Sequence, residues 1–350
     1  MTTETAVLTG LGVIVGSVLI LPFSVHWVEE KLEAFLLVMG ALSVTLSRSW
    51  SLRLLEESLT EPLKITAAVL VFGFVFRAFI DHIRRAVTYL VRAMGPALFL
   101  FLLVAGLGAI SSVVTAIIAA LILVEVVSVL KMDKAKERAL VILACFSIGL
   151  GAVLTPLGEP LSTITIAKLS GEPYHADFFF LARLLWPWIL AGLILLGLLA
   201  AGYVGPKVAL SQSLTEDKPE DTQAIVIRAV KVYIFVAALV LLGHGFTPLV
   251  NRYLLTLRPS HLYWVNMVSA VLDNATLAAA EISPKMPLAN IEYLLLGLLI
   301  SGGMLIPGNI PNIIAASKLG IKSREWARFG IPLGITLMIL YFVLLEMVSG

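Results

Sequence analysis

Apolar runs of membrane length, separated by short basic or polar stretches, organise this chain from end to end. The runs near 6–24, 33–47, 65–80, 177–203, 226–248 and 327–348 approach the ~20 residues a helix needs to cross a bilayer. Two composite regions, 94–170 and 261–318, do not read as simple spans. Each holds an apolar segment with a polar interruption, then a short loop, then an apolar segment broken by proline and glycine. In the first, the interruption is Ser111-Ser112 and Thr115, the loop is Lys131 to Arg138, and the break is Thr155-Pro-Leu-Gly-Glu-Pro-Leu-Ser-Thr163. In the second, the interruption is Asp273-Asn274, the loop is Ser283 to Pro287, and the break is Ile306-Pro-Gly-Asn-Ile-Pro-Asn312. Each break continues into a Lys-Leu pair ten residues after its glycine, Gly158 to Lys168-Leu169 and Gly308 to Lys318-Leu319. In a membrane protein, broken helices at matching places in two halves point to a transport site near the bilayer midplane.

Composition supports that reading. The chain is 59% hydrophobic and 14% charged, with a mean hydropathy of +0.99, against roughly 25% charged residues in soluble proteins. The pattern predicts an all-α polytopic membrane protein. Its net charge of +2 gives no reason to expect nucleic acid. The single cysteine, Cys145, excludes an internal disulfide and reads as a packed core thiol. Met1 to Glu4 lack the basic region of a secretory signal, which predicts that the first helix is retained. No phosphate-binding glycine loop, His/Cys metal spacing or nucleophile elbow occurs. Neither an enzyme, nor an ATP-driven pump, nor a bound cofactor is therefore expected.

Charge distribution sets the topology. If both interrupted segments are re-entrant hairpins and both broken helices cross once, most Lys and Arg fall on one side. That side holds Arg84, Arg85, Arg92, the 131–138 loop, Lys318, Lys322, Arg324 and Arg328, and an excess of basic residues marks the cytoplasmic face. Each half then has three crossings, so the halves are inverted repeats, each with a re-entrant hairpin and a broken transmembrane helix. The expected organisation is two N-terminal helices and an interfacial segment (1–62), a first repeat (63–204), a cytoplasmic linker (205–225) and a second repeat (226–350). The interfacial segment is Ser47 to Pro62.

A charged side chain at membrane depth costs about 2.5–3.5 kcal/mol on insertion scales, so such residues attract functional hypotheses. Asp273, in an otherwise apolar and small stretch, is the first candidate. Its carboxylate, the Asn274 amide and the Thr276 hydroxyl are hard oxygen donors suited to Na⁺; alternatively Asp273 caps a half-helix. Glu159 sits where the prolines leave carbonyls unbonded, beside Thr155, Ser162 and Thr163, and reads either as a second ion-binding carboxylate or as a helix cap. Its counterpart Asn309, with Asn312 nearby, is neutral; these amides either join the site or satisfy broken-helix carbonyls. Glu125 and Glu281 read as structural residues near headgroups, and Lys168 and Lys318 as basic helix ends that complement the dipole and snorkel. His244 reads as a hydrogen-bonded core histidine.

At these residues the chain resembles the ion-transporter superfamily, which includes NhaD-type sodium/proton antiporters, arsenite permeases and citrate or dicarboxylate carriers. Ser269-Ala-Val-Leu-Asp-Asn-Ala-Thr276 resembles the second-half hairpin motif of the NhaD type. Gly149-Leu-Gly-Ala-Val-Leu-Thr-Pro-Leu-Gly-Glu159 resembles its first broken helix, where the acid is usually Asp. Gly302-Gly-Met-Leu-Ile-Pro-Gly-Asn-Ile-Pro-Asn312 resembles the second. The stretch Val28 to Gly40 is similar to a small, poorly characterised prokaryotic branch of the superfamily. The resemblance covers roughly 28–348 and implies hairpins, crossed broken helices and inverted repeats. It departs at the first hairpin tip, where Thr115-Ala116 replaces the expected Asp-Asn.

The expected activity is exchange of Na⁺ or Li⁺ for H⁺ across the cytoplasmic membrane. Asp273 and Glu159 would take cation and proton in turn, with neutral oxygens from Thr155, Ser162, Thr163, Asn274, Thr276, Asn309 and Asn312. The alternative is a Na⁺-coupled symporter of a small carboxylate or oxyanion, because helix N-termini suit anions. A non-transporting scaffold or sensor is the third reading. The expected partners are the two ions and the bilayer, with no nucleic acid. A homodimer is usual among similar proteins, though no feature of this chain requires one.

Overall fold

A computed structural model describes residues 3–130, 132–205, 221–249, 252–253, 258–270 and 274–349. Among them every regular element is helical. Two helices open the chain, α1 (Thr3–Ser24) and α3 (Leu32–Ser47), joined through the short α2 (His26–Glu30). The first repeat comprises α4 (Leu52–Met94), the hairpin arms α5 (Pro96–Val114) and α6 (Ala116–Val129), the broken pair α7 (Lys134–Ala152) and α8 (Pro160–Leu169), and α9 (Phe180–Leu199). The second comprises α10 (Thr222–Leu249), the hairpin arms α11 (Pro259–Val265) and α12 (Asn274–Glu281), the broken pair α13 (Leu288–Gly302) and α14 (Ile310–Leu319), and α15 (Ser323–Ser349). A π-helical turn extends α9 to Val204, and a 3₁₀ turn, Asn266–Ala270, follows α11. Among the described residues, six helices are long and apolar enough to cross a membrane. The protein is an all-α, multi-pass membrane protein.

The expected interfacial segment, Ser47 to Pro62, holds the start of the longest helix, a single 43-residue helix that begins at Leu52 and runs through Pro62. Ser51 caps it by accepting from the Leu54 N–H at 3.1 Å. An Arg53–Glu57 pair at 2.7 Å, one turn apart, supports its polar first turns. Charges spaced for one helical face let the helix continue beyond its apolar centre. Of the expected linker, residues 206–220 lie outside the described residues, and α10 begins at Thr222.

Two sets of side-chain contacts fix which helix ends lie together. At the basic end, Arg138 at the start of α7 pairs with Glu325 at the start of α15. Lys136 Nζ donates to the Tyr203 carbonyl at 2.7 Å, and Lys231 of α10 pairs with Glu33 of α3 at 3.5 Å. At the opposite end, Tyr174 donates to the Met286 carbonyl and Trp188 to Glu292, while the Tyr293 hydroxyl donates to Glu346 at 2.9 Å. In the first repeat α4 leaves and α7 enters at the basic end; in the second, α10 leaves and α13 enters at the opposite one. The repeats are therefore inverted.

The hairpins return to the end they left. Although α5 is 19 residues long, long enough to cross, the chain reverses at Thr115. The α5 arm runs parallel to α7: Ser147 Oγ donates to the Val104 carbonyl at 2.8 Å, and Ser111 Oγ to that of Ile148 at 3.0 Å. The second hairpin repeats this on α13, where Ser301 Oγ donates to the Asn266 carbonyl at 2.8 Å and meets Ser269 Oγ at 2.5 Å. Lipid is as apolar as leucine, so helices in a bilayer associate by close packing of small residues and by hydrogen bonds. Both interfaces follow that rule: a Cβ on Gly151 would lie 1.8 Å from the Gly108 carbonyl oxygen. Between the repeats, α6 packs on α14 and α8 on α12, and Phe146 of α7 fills the space over Gly303. Cys145 is fully buried there, as expected.

Candidate functional site

Each hairpin tip meets the break of its own repeat. In the first, the Ala116 N–H donates to the Gly158 carbonyl at 3.0 Å, and the Thr155 hydroxyl donates to the Ser112 carbonyl. Gly158 is required by the tight turn of the break itself, since a Cβ there would lie 1.9 Å from the Ala152 carbonyl oxygen at the end of α7. In the second, a Cβ on Gly308 would lie 2.5 Å from the Gly302 carbonyl oxygen and 3.0 Å from Ala270 Cα at the hairpin tip. Asn274 opens α12, and its amide lies against Gly302. Four helices thus begin at the two tips and breaks: α6, α8, α12 and α14. Their N-termini carry partial positive charge, while α7 and α13 end there with partial negative charge.

Prolines break the helices, and specific side chains repair the loss. Pro160 has no N–H to give the Pro156 carbonyl, and the Thr163 hydroxyl donates to it instead at 2.7 Å. Ser162 Oγ lies 2.7 Å from both the Thr155 and Glu159 carbonyl oxygens. In the second break, Asn312 Nδ2 donates to the Gly302 and Leu305 carbonyls at 2.9 and 2.8 Å. The Gly303 carbonyl, which Pro307 leaves without its helical donor, accepts from the Trp326 indole at 3.1 Å. The hydroxyls of Thr155, Ser162 and Thr163 thus brace the first break. Asn312 does the same for the second with its nitrogen, while its buried Oδ1 has no hydrogen-bond partner among the described residues.

Glu159 and Asn309 are structural counterparts. Each immediately precedes the second half of its broken helix in extended conformation, φ −158°, ψ 161° and φ −155°, ψ 147°. Neither side chain caps its own helix. Glu159 is buried. The Asn309 amide reaches across to the other repeat, with Nδ2 2.6 Å from where a Cβ on Gly149 would lie. Only a glycine in α7 leaves room for it.

The structure therefore brings Thr155, Glu159 and Ser162 into one buried group, and Asn274 and Asn312 into another, with Asn309 spanning toward α7. Thr163 is exposed. Neither Asn274 Nδ2 nor Oδ1 has a hydrogen-bond partner among the described residues, although the side chain is only 4% exposed. Thr276 falls on α12, and Asp273 lies outside the described residues. Among the described residues no group of three His, Cys, Asp or Glu side chains forms, so the donor set there is one carboxylate with neutral oxygens and amides.

Sequence reasoning missed the contacts that hold the repeats together. Lys318 and Lys168 do more than end their helices. Lys318 Nζ pairs with Glu125 of α6 at 3.3 Å, both side chains being largely buried. Lys168 Nζ donates to the Ala279 and Ile282 carbonyls at the end of α12, at 2.9 Å for Ile282. Each lysine ties its broken helix to the other repeat's hairpin. The matching positions of one lysine and one glutamate in each half were the available signal. His244 is also corrected: it is half-exposed and pairs with Glu57 of α4 at 3.2 Å.

These features define a multi-pass membrane protein of two inverted repeats whose hairpins and broken helices meet at a buried polar crossover. The chain belongs to a family described as a protein of unknown function, DUF1646, which matches residues 8–348. No protein of curated function matches it.

Proposed function

We propose that this protein is a secondary transporter of the cytoplasmic membrane that exchanges Na⁺ or Li⁺ for H⁺ at the crossover. The observation that carries the reading is the matched pair Glu159 and Asn309, one charged and one neutral, each at a half-helix N-terminus and neither capping it. A carboxylate at that place can take a proton and a cation in turn. Braced hydroxyls offer lone pairs, and the Asn274 and Asn312 oxygens lack hydrogen-bond donors among the described residues. Asp273, next to Asn274, supplies the second carboxylate in this reading. Exchange then requires one repeat to move against the other. The NhaD-like motifs support the same activity.

One observation favours a second reading. Four helix N-termini face the crossover, an arrangement suited to a carboxylate or oxyanion carried with Na⁺. Purified protein in liposomes holding a pH-sensitive dye and an imposed pH gradient separates the two. Exchange predicts gradient collapse on adding Na⁺ or Li⁺, lost in Asp273→Asn. A signal that requires an added anion would replace exchange with symport, and silence with every cation after verified insertion would remove it.

A further inference from the structure

The second hairpin holds a buried acid–amide pair that the crossover does not use. Asn266 ends the first arm and Glu281 ends α12, the returning arm; Asn266 Nδ2 donates to Glu281 Oε2 at 3.0 Å. Asn266 is fully buried and Glu281 only 5% exposed. The other atom of each, Asn266 Oδ1 and Glu281 Oε1, is buried without a hydrogen-bond partner among the described residues. With Glu281 ionised, both leftover atoms are acceptors, and among the described residues no donor serves either. Burying such atoms unbonded is costly, and burying an uncompensated carboxylate costs far more.

We propose that Asn266 and Glu281 form a proton-binding site inside the second hairpin. One proton bound to Glu281 Oε1 makes an O–H that donates to Asn266 Oδ1. The amide and the acid then each donate once and accept once, and no charge remains. Among the described residues no neighbouring cation pairs with Glu281. Of the helices packed on α12, α8 brings Lys168, which is engaged with the Ala279 and Ile282 carbonyls. From α13 come Glu292, bound by the Trp188 indole, and Tyr293, whose hydroxyl donates to Glu346. On α10, His244 pairs with Glu57 and Lys231 with Glu33, and Arg228 lies toward the basic end. The contrast with the first repeat is direct, because there Glu125 is balanced by Lys318. The amide of Asn266 cannot balance a charge, and a proton can.

The site sits where the hairpin is fastened. Asn266 also accepts, through its carbonyl, from Ser301 of α13, and the end of α12 is held by Lys168 of the other repeat. Proton release would leave an unpaired carboxylate between the two arms and loosen them, whichever ion the crossover carries.

Infrared difference spectroscopy on the purified full-length protein reads the proton directly. At neutral pH the wild type should show a carbonyl stretch from a protonated carboxyl that shifts on H/D exchange. Glu281→Gln, which keeps the shape and supplies an amide donor to Asn266, should lose that band. Asn266→Ala keeps the acid but removes its partner, and should move the band to higher frequency. An unchanged protonated-carboxyl region in Glu281→Gln overturns the proposal. If that variant does not fold, the Asn266→Ala spectrum decides, since a band that does not move contradicts the pairing.

Discussion

The two lysines that end the broken helices occupy equivalent places and do different work. At the basic end Lys318 forms an ion pair with Glu125, buried between α14 and α6. At the opposite end Lys168 reaches, among the described residues, only backbone carbonyls at the end of α12, and the nearby acid Glu281 turns inward to Asn266. One repeat is thus fastened to its neighbour by opposite charges and the other by hydrogen bonds to the backbone. In the proposed exchange, where one repeat moves against the other, the unequal fastenings favour opening at the end held by Lys168.

The largest expected effect comes from breaking the stronger fastening. Lys318→Met leaves Glu125 buried without that cation and should cost about 3–5 kcal/mol of unfolding stability. Lys168→Met, which strands carbonyls rather than a charge, should cost about 1–3 kcal/mol. Equal losses in denaturant titrations of the two variants would erase the asymmetry. The breaks themselves come next. Gly158→Ala drives a Cβ into backbone at 1.9 Å, whereas Gly308→Ala meets backbone at 2.5 Å. The first should cost about 3 kcal/mol and the second nearer 1 kcal/mol, read as a larger fall in thermal midpoint for Gly158→Ala.

The repeats also repair their prolines differently. Trp326→Phe deprives the buried Gly303 carbonyl of its indole donor and should cost about 2 kcal/mol. Thr163→Val removes the equivalent donor from an exposed hydroxyl and should cost less than half as much; a reversed order would contradict the assignment of these roles. The smallest effect belongs to the hairpin tip. Thr115 holds φ 78° and ψ 149°, a region costly for a β-branched residue, while its hydroxyl accepts from the Ile118 N–H at 3.3 Å. Thr115→Gly suits this backbone but removes the acceptor, so the two effects oppose and thermal melts should show a net change below about 1 kcal/mol.

Much of this architecture was written in the pattern of apolar and polar positions. The spans, both breaks and the inverted hairpins follow from hydropathy, proline placement and basic clusters, because a bilayer forces backbone groups to be satisfied within the protein. What the pattern could not give was partner choice. Nothing local to Lys318 says that it meets Glu125, since the two are brought together only when one repeat crosses the other. His244 misled for a related reason: its apolar helix suggested burial, yet Glu57 lies opposite on a helix whose length the charges at 53–64 had disguised. At the site, residue type was legible and role was not. Thr163 engages its hydroxyl with a carbonyl left by the break, while Asn312 uses its nitrogen that way and keeps its oxygen for the proposed site.

In the proposed exchange Na⁺ and H⁺ share the crossover, and uptake of radiolabelled sodium into proteoliposomes with an acidic interior is the sharpest test. Sodium should accumulate above the external concentration, the flux should reverse when the pH gradient is reversed, and Glu159→Gln should abolish it while Asn309→Ala retains part of it. Sodium uptake that is indifferent to the pH gradient, or that appears only with an added anion, would contradict it.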